Sequence, residues 1–456
     1  MYRGTRIRHN PGFPRSAVGN HHLPLIPPMP PNITPDFHLP VAMRRPPSGL
    51  DTPDEYWQTL AAHVLKLVRD VGPRSGPHSI AFLMRQVLEA CVLPRLASQS
   101  RRRLYMSENG GRVSRQNTQP DRIRIVFIMG VGRSGSTLLD TILGNHPDME
   151  GVGELCNISE NGWIANRYCA CGQRVNNCPF WSEVRREWAE RTGTGNEYRY
   201  ASLIRALEKR RAWLGRLAQE IRRGSSRVQE YLELTKALFE GIKIASGKSI
   251  IVDSSKRASR ALLLSQIPEV DLHVIHLVRD VRGVVWSKKK SFPINERAGL
   301  SKGEVPQSSV RSSLAWNLVN VVDEWTRRRL FAPKSIRVRY EDCVAHPKET
   351  LPQIGRLIDV DLSELAEAIV AGEQMEIGHT ISGNYMRMAG PARVRPDTAW
   401  IEKLPSWDRR VCWMLSGWLM RRYGYRRKPD VLPPPPEATP SSAAESDAQR
   451  PREMAA

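Results

Sequence analysis

The chain has 456 residues, 68 Lys+Arg against 47 Asp+Glu, a formal net charge of +21 and a hydrophobic share of 40%. That apolar share over this length buries a real core, which excludes disorder throughout. Its 32 glycines and 34 prolines fall well short of a collagen-like level, and seven cysteines are too few for a disulfide scaffold.

The first segment, residues 1–50, holds eleven of the prolines and six arginines against one acid, Asp36. Proline removes backbone donors, so this segment reads as a disordered or polyproline-like arm. Arg3, Arg6 and Arg8 are not followed by an apolar core of signal-peptide type. No run reaches the ~18 apolar residues that a membrane span needs. With an odd cysteine count as well, the expectation is a soluble, cytoplasmic protein.

Residues 51–120 read as a helical N-terminal extension and linker. Tyr56, Leu60, Val64 and Leu67, then Ile80, Leu83, Val87 and Cys91, recur at helical spacing before the polar stretch Ser107 to Pro120. At the other end, residues 428–456 include Pro433 to Pro436 and then Ala, Ser, Glu and Pro, a second flexible tail.

Between these flanks the texture changes. Short β-branched runs at Ile123–Met129, Ser249–Val252, Leu272–Val278 and Ile336–Tyr340 suit strands buried on both faces. Amphipathic segments lie between them, one carrying Leu203, Leu207, Leu214, Leu217 and Ile221, another Val310, Leu314, Leu318, Val321 and Trp325. Their apolar stripes, with Trp213 and Trp325, read as core. The alternation predicts an α/β fold, a central mainly parallel sheet flanked by helices.

The first predicted strand runs into Gly130-Val131-Gly132-Arg133-Ser134-Gly135-Ser136-Thr137 and then into a helix. Glycines let successive N–H groups converge, and the helix N-terminus adds partial positive charge, so this is a site for an anion. The spacing nearly fits the nucleotide-triphosphate loop, but Ser136 stands where that loop has its lysine. The cation is instead Arg133, whose planar guanidinium can hold two oxygens of one phosphate or sulfonate. Ile250 to Asp253 passes for a Walker-B strand, so a P-loop kinase or NTPase is the alternative. The missing lysine argues against it. A nucleic-acid-binding protein with a vestigial pocket is a further alternative. The basic residues are spread along the chain, in short clusters such as Lys288 to Lys290, and no nucleic-acid-binding motif supports it.

A second anion site is read at Arg279, at the tip of the strand ending at Val278, with Ser287 eight positions later. With a helix starting near Asp280, the two could grip an anion from two sides, but taken alone these residues read better as an Arg–Asp surface pair and an ordinary helical serine.

The two motifs GRSGSTLL and LVRDVRGVVWS, in this order, resemble the sulfotransferases that use 3'-phosphoadenosine 5'-phosphosulfate (PAPS). The similarity continues through HPDMEGVGEL (His146–Leu155), DSSKRASR (Asp253–Arg260), VRYEDCVAHP (Val338–Pro347), GHTISGNYMR (Gly378–Arg387) and WIEKLPSWDRR (Trp400–Arg410), covering about residues 121–427. The resemblance implies a P-loop nucleotide-binding fold. It implies that Gly130, Gly132, Arg133, Ser134, Gly135, Ser136 and Thr137 hold the 5'-phosphosulfate, and that Arg279 and Ser287 hold the 3'-phosphate. It makes Lys256 the donor to the bridging oxygen, puts Gly383, Asn384 and Arg387 near the nucleotide, and gives Arg387 a supporting place at the 3'-phosphate.

The segment Ser254-Ser255-Lys256-Arg257 lacks the histidine base of the aryl and steroid members. In this the chain resembles the tyrosylprotein and carbohydrate type more closely, a resemblance that implies Glu154 as the candidate base. His146 reads as structural. PAPS is the implied donor, with no metal required. The acceptor carries a hydroxyl or amine, on a carbohydrate, lipid, peptide or small molecule, and is not identified. Lys288 to Phe292, the stretch 291–307 and the N-terminal helices are the candidates for lining its pocket. Oligomeric state is left open, and no specific nucleic-acid partner is expected.

Cys169-Ala170-Cys171-Gly172 and Cys178-Pro179-Phe180-Trp181, with Cys156, place four sulfurs within 23 residues. The spacing is not that of a zinc finger and no histidine stands between. Packed free thiols or a local disulfide are expected ahead of a structural zinc.

Overall fold

The computed structural model describes residues 122–429 apart from 194, 210–213, 292, 293, 296 and 298–305. The expected arm, the helical extension, nearly all of the tail, Trp213 and most of the stretch 291–307 lie outside the described residues.

Five strands form one sheet: β1 (Ile123–Met129), β2 (Met149–Gly153), β3 (Ile250–Lys256), β4 (Val270–Val278) and β5 (Ser335–Arg339), in the order β2-β3-β1-β4-β5. All four pairings are parallel. Parallel neighbours require crossovers, and the long segments between strands supply them as helices.

β1 shows why its residues are a central strand. Ile125, Phe127 and Met129 face one core and Val126 and Ile128 the other, all with no exposure. The first face is covered by α2 (Pro179–Thr192) and α3 (Ser226–Ser246), through Trp181, Trp188, Tyr231 and Leu238. The second is covered by α1 (Ser136–Gly144) and by the helix Pro347–Ile358, through Leu139, Ile142, Leu351 and Ile354. Each large apolar side chain so buried contributes roughly 1.5–3 kcal/mol. A third cluster joins α4 (Val281–Lys289) and α5 (Ser309–Leu330) to α6 (Ser406–Arg422), through Val284, Trp316, Cys412 and Leu419.

Two helical expectations change. The segment from Leu203 to Ile221 is interrupted, because a wide turn at Arg205–Lys209 follows the helix Glu197–Ile204. That turn carries Glu208 inward, where its carboxylate accepts from Arg260 Nη1 (2.8 Å) and Tyr231 Oη (2.7 Å). On α5 the buried face is not the stripe Val310–Leu314–Leu318. Val310 is exposed, while Ser312, Ser313, Trp316, Asn320 and Asp323 are buried. Asn320 and Glu324 are tolerated there because β4 presents His276, whose ring nitrogens lie 3.1 Å from Asn320 Oδ1 and 3.3 Å from Glu324 Oε2.

A two-stranded antiparallel ribbon, β6 (Gln374–Met375) with β7 (Ala392–Arg393), closes the base of an excursion. Residues 376–391 leave the ribbon and cross to the C-terminal tip of β2, where Ile381 bridges Gly153. This excursion forms one wall of the site.

Candidate active site

At the end of β1 the chain turns through Gly130–Gly135 into α1. Two glycines are required by their surroundings. A Cβ at Gly130 would sit 2.5 Å from the Leu277 carbonyl oxygen on β4, and one at Gly135 (φ +94°) 2.3 Å from the Tyr340 ring. Arg133 itself is left-handed, at φ 76°. A non-glycine residue pays roughly 1–3 kcal/mol for such a backbone, a strain that recurs at functional sites. Ser134 Oγ is buried and has no hydrogen-bond partner among the described residues. Ser136 is buried at the first turn of α1, and the Thr137 hydroxyl accepts from Asn384 N–H (3.2 Å), leaving its proton to donate.

Glu154 and Lys256 come from neighbouring strand tips, and a bulge aims each of them. On β3, Ser254 and Ser255 stand opposite the single residue Ile128 of β1; on β2, Val152 is extra between Gly151 and Gly153. Bulges re-aim the residues that follow them. Lys256, again left-handed at φ 70°, makes an ion pair with Glu154. The other Glu154 oxygen accepts from Asn157 Nδ2 (3.0 Å), and Glu154 N–H donates to Ile381 O (3.0 Å).

The turn presenting Lys256 is braced from below. Asp253 accepts from Arg260 Nε at 2.7 Å and from Ser255 N–H at 3.0 Å, all without exposure to solvent for the Asp253–Arg260 pair. A buried Asp253 committed to Arg260 is not placed to hold a nucleotide-bound cation, as a Walker-B aspartate is.

At the tip of β4, Arg279 is buried, sits over the Tyr340 ring (Cζ 4.4 Å from its centre) and donates to Arg133 O (3.2 Å) and Asp397 Oδ2 (2.9 Å). Its Nε has no partner among the described residues. Asp280 caps α4 by accepting from Arg282 N–H (2.8 Å), and Ser287 lies buried two turns further along. Next to it, Lys288 has its ammonium pKa lowered by burial and then by the charges of Arg133 and Arg311. Cations crowded this way create a demand for an anion between them.

The excursion carries Arg387, Gly383 and Asn384. The Arg387 guanidinium is buried and its Nη1 donates to the Tyr168 carbonyl (3.1 Å). Gly383 and Asn384 reach the loop itself: a Cβ at Gly383 would lie 2.9 Å from Thr137 Oγ1 and 3.8 Å from Glu154 Oε1. Behind them Asp140 of α1 accepts from Gly153 N–H (3.2 Å) and the Thr380 hydroxyl (3.3 Å). Burial, opposed by these bonds and aided by the Asp253 charge, pushes its carboxyl up to about 7. His146 closes the turn after α1, its Nδ1 accepting from Asp148 N–H (3.1 Å).

The four cysteines separate. Cys156 is buried under β3, its N–H donating to Ser255 Oγ (3.0 Å). Cys169, Cys171 and Cys178 converge as free thiols, the last two with sulfurs 3.6 Å apart, far beyond the ~2.05 Å of a disulfide. The histidine missing from the local sequence is supplied by the excursion: His379 Nδ1 lies 3.3 Å from Cys178 Sγ and 3.8 Å from Cys169 Sγ.

Sequence reading did not single out His379, Asp140, Tyr340, Asp397 or Arg311. Tyr340 and His379 stand inside segments already noted, whereas nothing local marks Asp397 or Arg311.

The profile of the sulfotransferase family matches residues 126–364, just over half of the chain. Among solved structures, the chain is similar to the sulfotransferase domain from the Synechococcus PCC 7002 olefin synthase (19% identity, covering 69% of this chain and 99% of that one, TM-score 0.33). It is also similar to the sulfotransferase domain from the curacin biosynthetic pathway (17% identity, 64% and 97% covered, TM-score 0.34). A third is sulfotransferase STF9 from Mycobacterium avium (11% identity, 84% and 99% covered, TM-score 0.33). No curated protein matches the chain in sequence. No described helix is long and apolar enough to cross a membrane.

Proposed function

The chain belongs to the sulfotransferase family, and from that premise we propose that it moves a sulfuryl group from PAPS to a hydroxyl or amine, with Lys256, Arg133 and Glu154 at the reacting centre. The family implies PAPS as donor, and the loop suits it. Ser134 Oγ and Arg279 Nε are buried polar atoms awaiting a partner, and Lys288 is crowded by Arg133 and Arg311. PAPS, when bound, supplies an activated sulfuryl group and a stable nucleotide leaving group.

The residues then divide the work. Arg133, Ser134, Ser136, Thr137 and the N–H groups of Gly132 and Gly135 grip the 5' end, with Gly130 turning the chain into the loop while its own N–H donates to Lys256 O. Arg279 and Ser287 hold the 3'-phosphate, one from the tip of β4 and the other from α4. Glu154 takes the acceptor's proton as the acceptor atom bonds to sulfur. Lys256 donates to the phosphate oxygen whose bond to sulfur breaks, stabilising the charge that develops there. A sulfuryl group carries less charge than a phosphoryl group, so cations and N–H donors suffice without a catalytic metal.

The ion pair of Lys256 and Glu154 beside the glycine loop carries this reading, because it joins the proton acceptor and the leaving-group donor at one point. Pairing also implies an order: Lys256 turns to the donor's oxygen, and Glu154 is released to face the acceptor. The acceptor is of the hydroxyl or amine class.

The test has two stages. Thermal-shift titration of the full chain should show stabilisation by 3',5'-ADP and not by ATP, since a ligand that binds only the folded state raises its melting point. Lys256→Ala should keep that response and lose at least about a hundredfold in turnover of labelled PAPS. Stabilisation by magnesium-ATP alone, or near-normal turnover in Lys256→Ala, refutes the assignment.

A further inference from the structure

We propose that Cys169, Cys171, Cys178 and His379 bind a structural zinc ion that fastens the excursion 376–391 to the segment before α2. The four ligand atoms all lie within 4.8 Å of one another. A tetrahedral zinc with Zn–S near 2.3 Å and Zn–N near 2.05 Å places sulfurs about 3.8 Å apart and sulfur about 3.5 Å from nitrogen. The observed separations are 3.6 Å for Cys171–Cys178, 3.3 Å for Cys178–His379 and 3.8 Å for Cys169–His379. Three thiols packed for burial alone have no reason to gather around one imidazole nitrogen at these spacings. Three sulfurs and one imidazole are a donor set that selects zinc among common divalent ions.

The local backbone explains how C-x-C followed by a six-residue gap serves as a ligand frame. Tyr168 and Arg174 pair as an antiparallel bridge, Cys169 N–H donates to Gln173 O (2.8 Å), and Gly172 turns the chain at φ +86°. Cys169 and Cys171 therefore sit on one tight turn. Cys178 immediately precedes Pro179, the first residue of α2, so its sulfur lies at a helix N-terminus, where a thiolate is favoured. His379 is held from two sides: its ring stacks on Phe180 (4.9 Å, 9°) and its carbonyl accepts from Trp181 Nε1 (2.7 Å). Ala170 N–H donates to Thr380 O (3.1 Å), so the hairpin and the excursion already touch on the ligand's flank.

With four protein ligands the site has no open position, which marks it as structural rather than catalytic. Its effect on the active site is mechanical. Two residues beyond His379, Ile381 O accepts from Glu154 N–H, and Asn384 N–H donates to Thr137 Oγ1 (3.2 Å). The ion thus fixes the strand of chain that borders both the base and the glycine loop.

The full chain, purified under reducing conditions without chelator, should contain about one zinc per molecule by mass spectrometry of the metal. Cys171→Ser, which removes the exposed ligand and leaves the packed core intact, should drop zinc at least about fivefold while keeping its helical spectrum. Cobalt added to metal-stripped protein should give the thiolate charge-transfer and tetrahedral d–d bands, and stripping should speed protease cleavage within 376–391 at least about tenfold. Folded protein with no zinc that also fails to bind cobalt overturns the proposal. So does a Cys171–Cys178 disulfide in the reduced preparation, or zinc content unchanged by Cys171→Ser. None of these outcomes depends on sulfotransfer, so the PAPS assignment stands or falls separately.

Discussion

Asp140 offers the sharpest physical test of how the site is built. The side chain has no exposure, projects from α1 one turn beyond the glycine loop, and holds Gly153, the residue before Glu154. Burial raises its carboxyl from 3.8 to about 7. The folded protein therefore keeps a proton that the unfolded chain has already released between about pH 4 and 7, and stability falls as pH rises through that window, levelling off above it. At about 1.4 kcal/mol per tenfold, the gap corresponds to at most about 4 kcal/mol. Asp140→Asn carries no ionisable proton yet keeps an oxygen for the Gly153 N–H. Urea unfolding of both proteins between about pH 4 and 8 should show wild type losing stability relative to the variant as pH rises, by up to that amount. A difference that stays constant across the range to within about 0.5 kcal/mol would refute the claim that Asp140 is held protonated.

Two further substitutions probe the anion grip. Arg279→Lys keeps the charge but loses the planar fork and the stacking on Tyr340; its Kd for 3',5'-ADP by calorimetry should rise at least about tenfold. An unchanged Kd would take Arg279 out of the nucleotide site. Gly135→Ala adds a Cβ 2.3 Å from the Tyr340 ring at φ +94°, so it should destabilise by more than about 1 kcal/mol and remove stabilisation by 3',5'-ADP, both read by thermal shift. Wild-type behaviour there would mean that loop and ring separate at no cost.

What could be read in the amino acids was what is encoded locally. β1 and β4 are dense β-branched runs and lie within a residue or two of the expected bounds. β2 was missed because Met-Glu-Gly-Val-Gly carries no such signal; it is a strand only because β3 offers it an edge. β3 was cut short at Val252 because its last residues are polar and bulged, which is also what turns Lys256 into the site. The glycine loop was legible because its eight residues are contiguous. The ligand set at Cys178 was not, since His379 stands 201 positions away, and only folding brings it there. The stripe on α5 misled in part because His276 gives Asn320 and Glu324 buried partners, reversing the usual rule that polar means exposed.

Arg133 and Lys256 are both held in a backbone basin that favours glycine. Natural drift toward a sturdier scaffold would therefore tend to erase the two side chains proposed for the reacting centre. A library of variants selected for heat resistance alone should enrich glycine at these two positions, and the survivors should be well folded and catalytically silent.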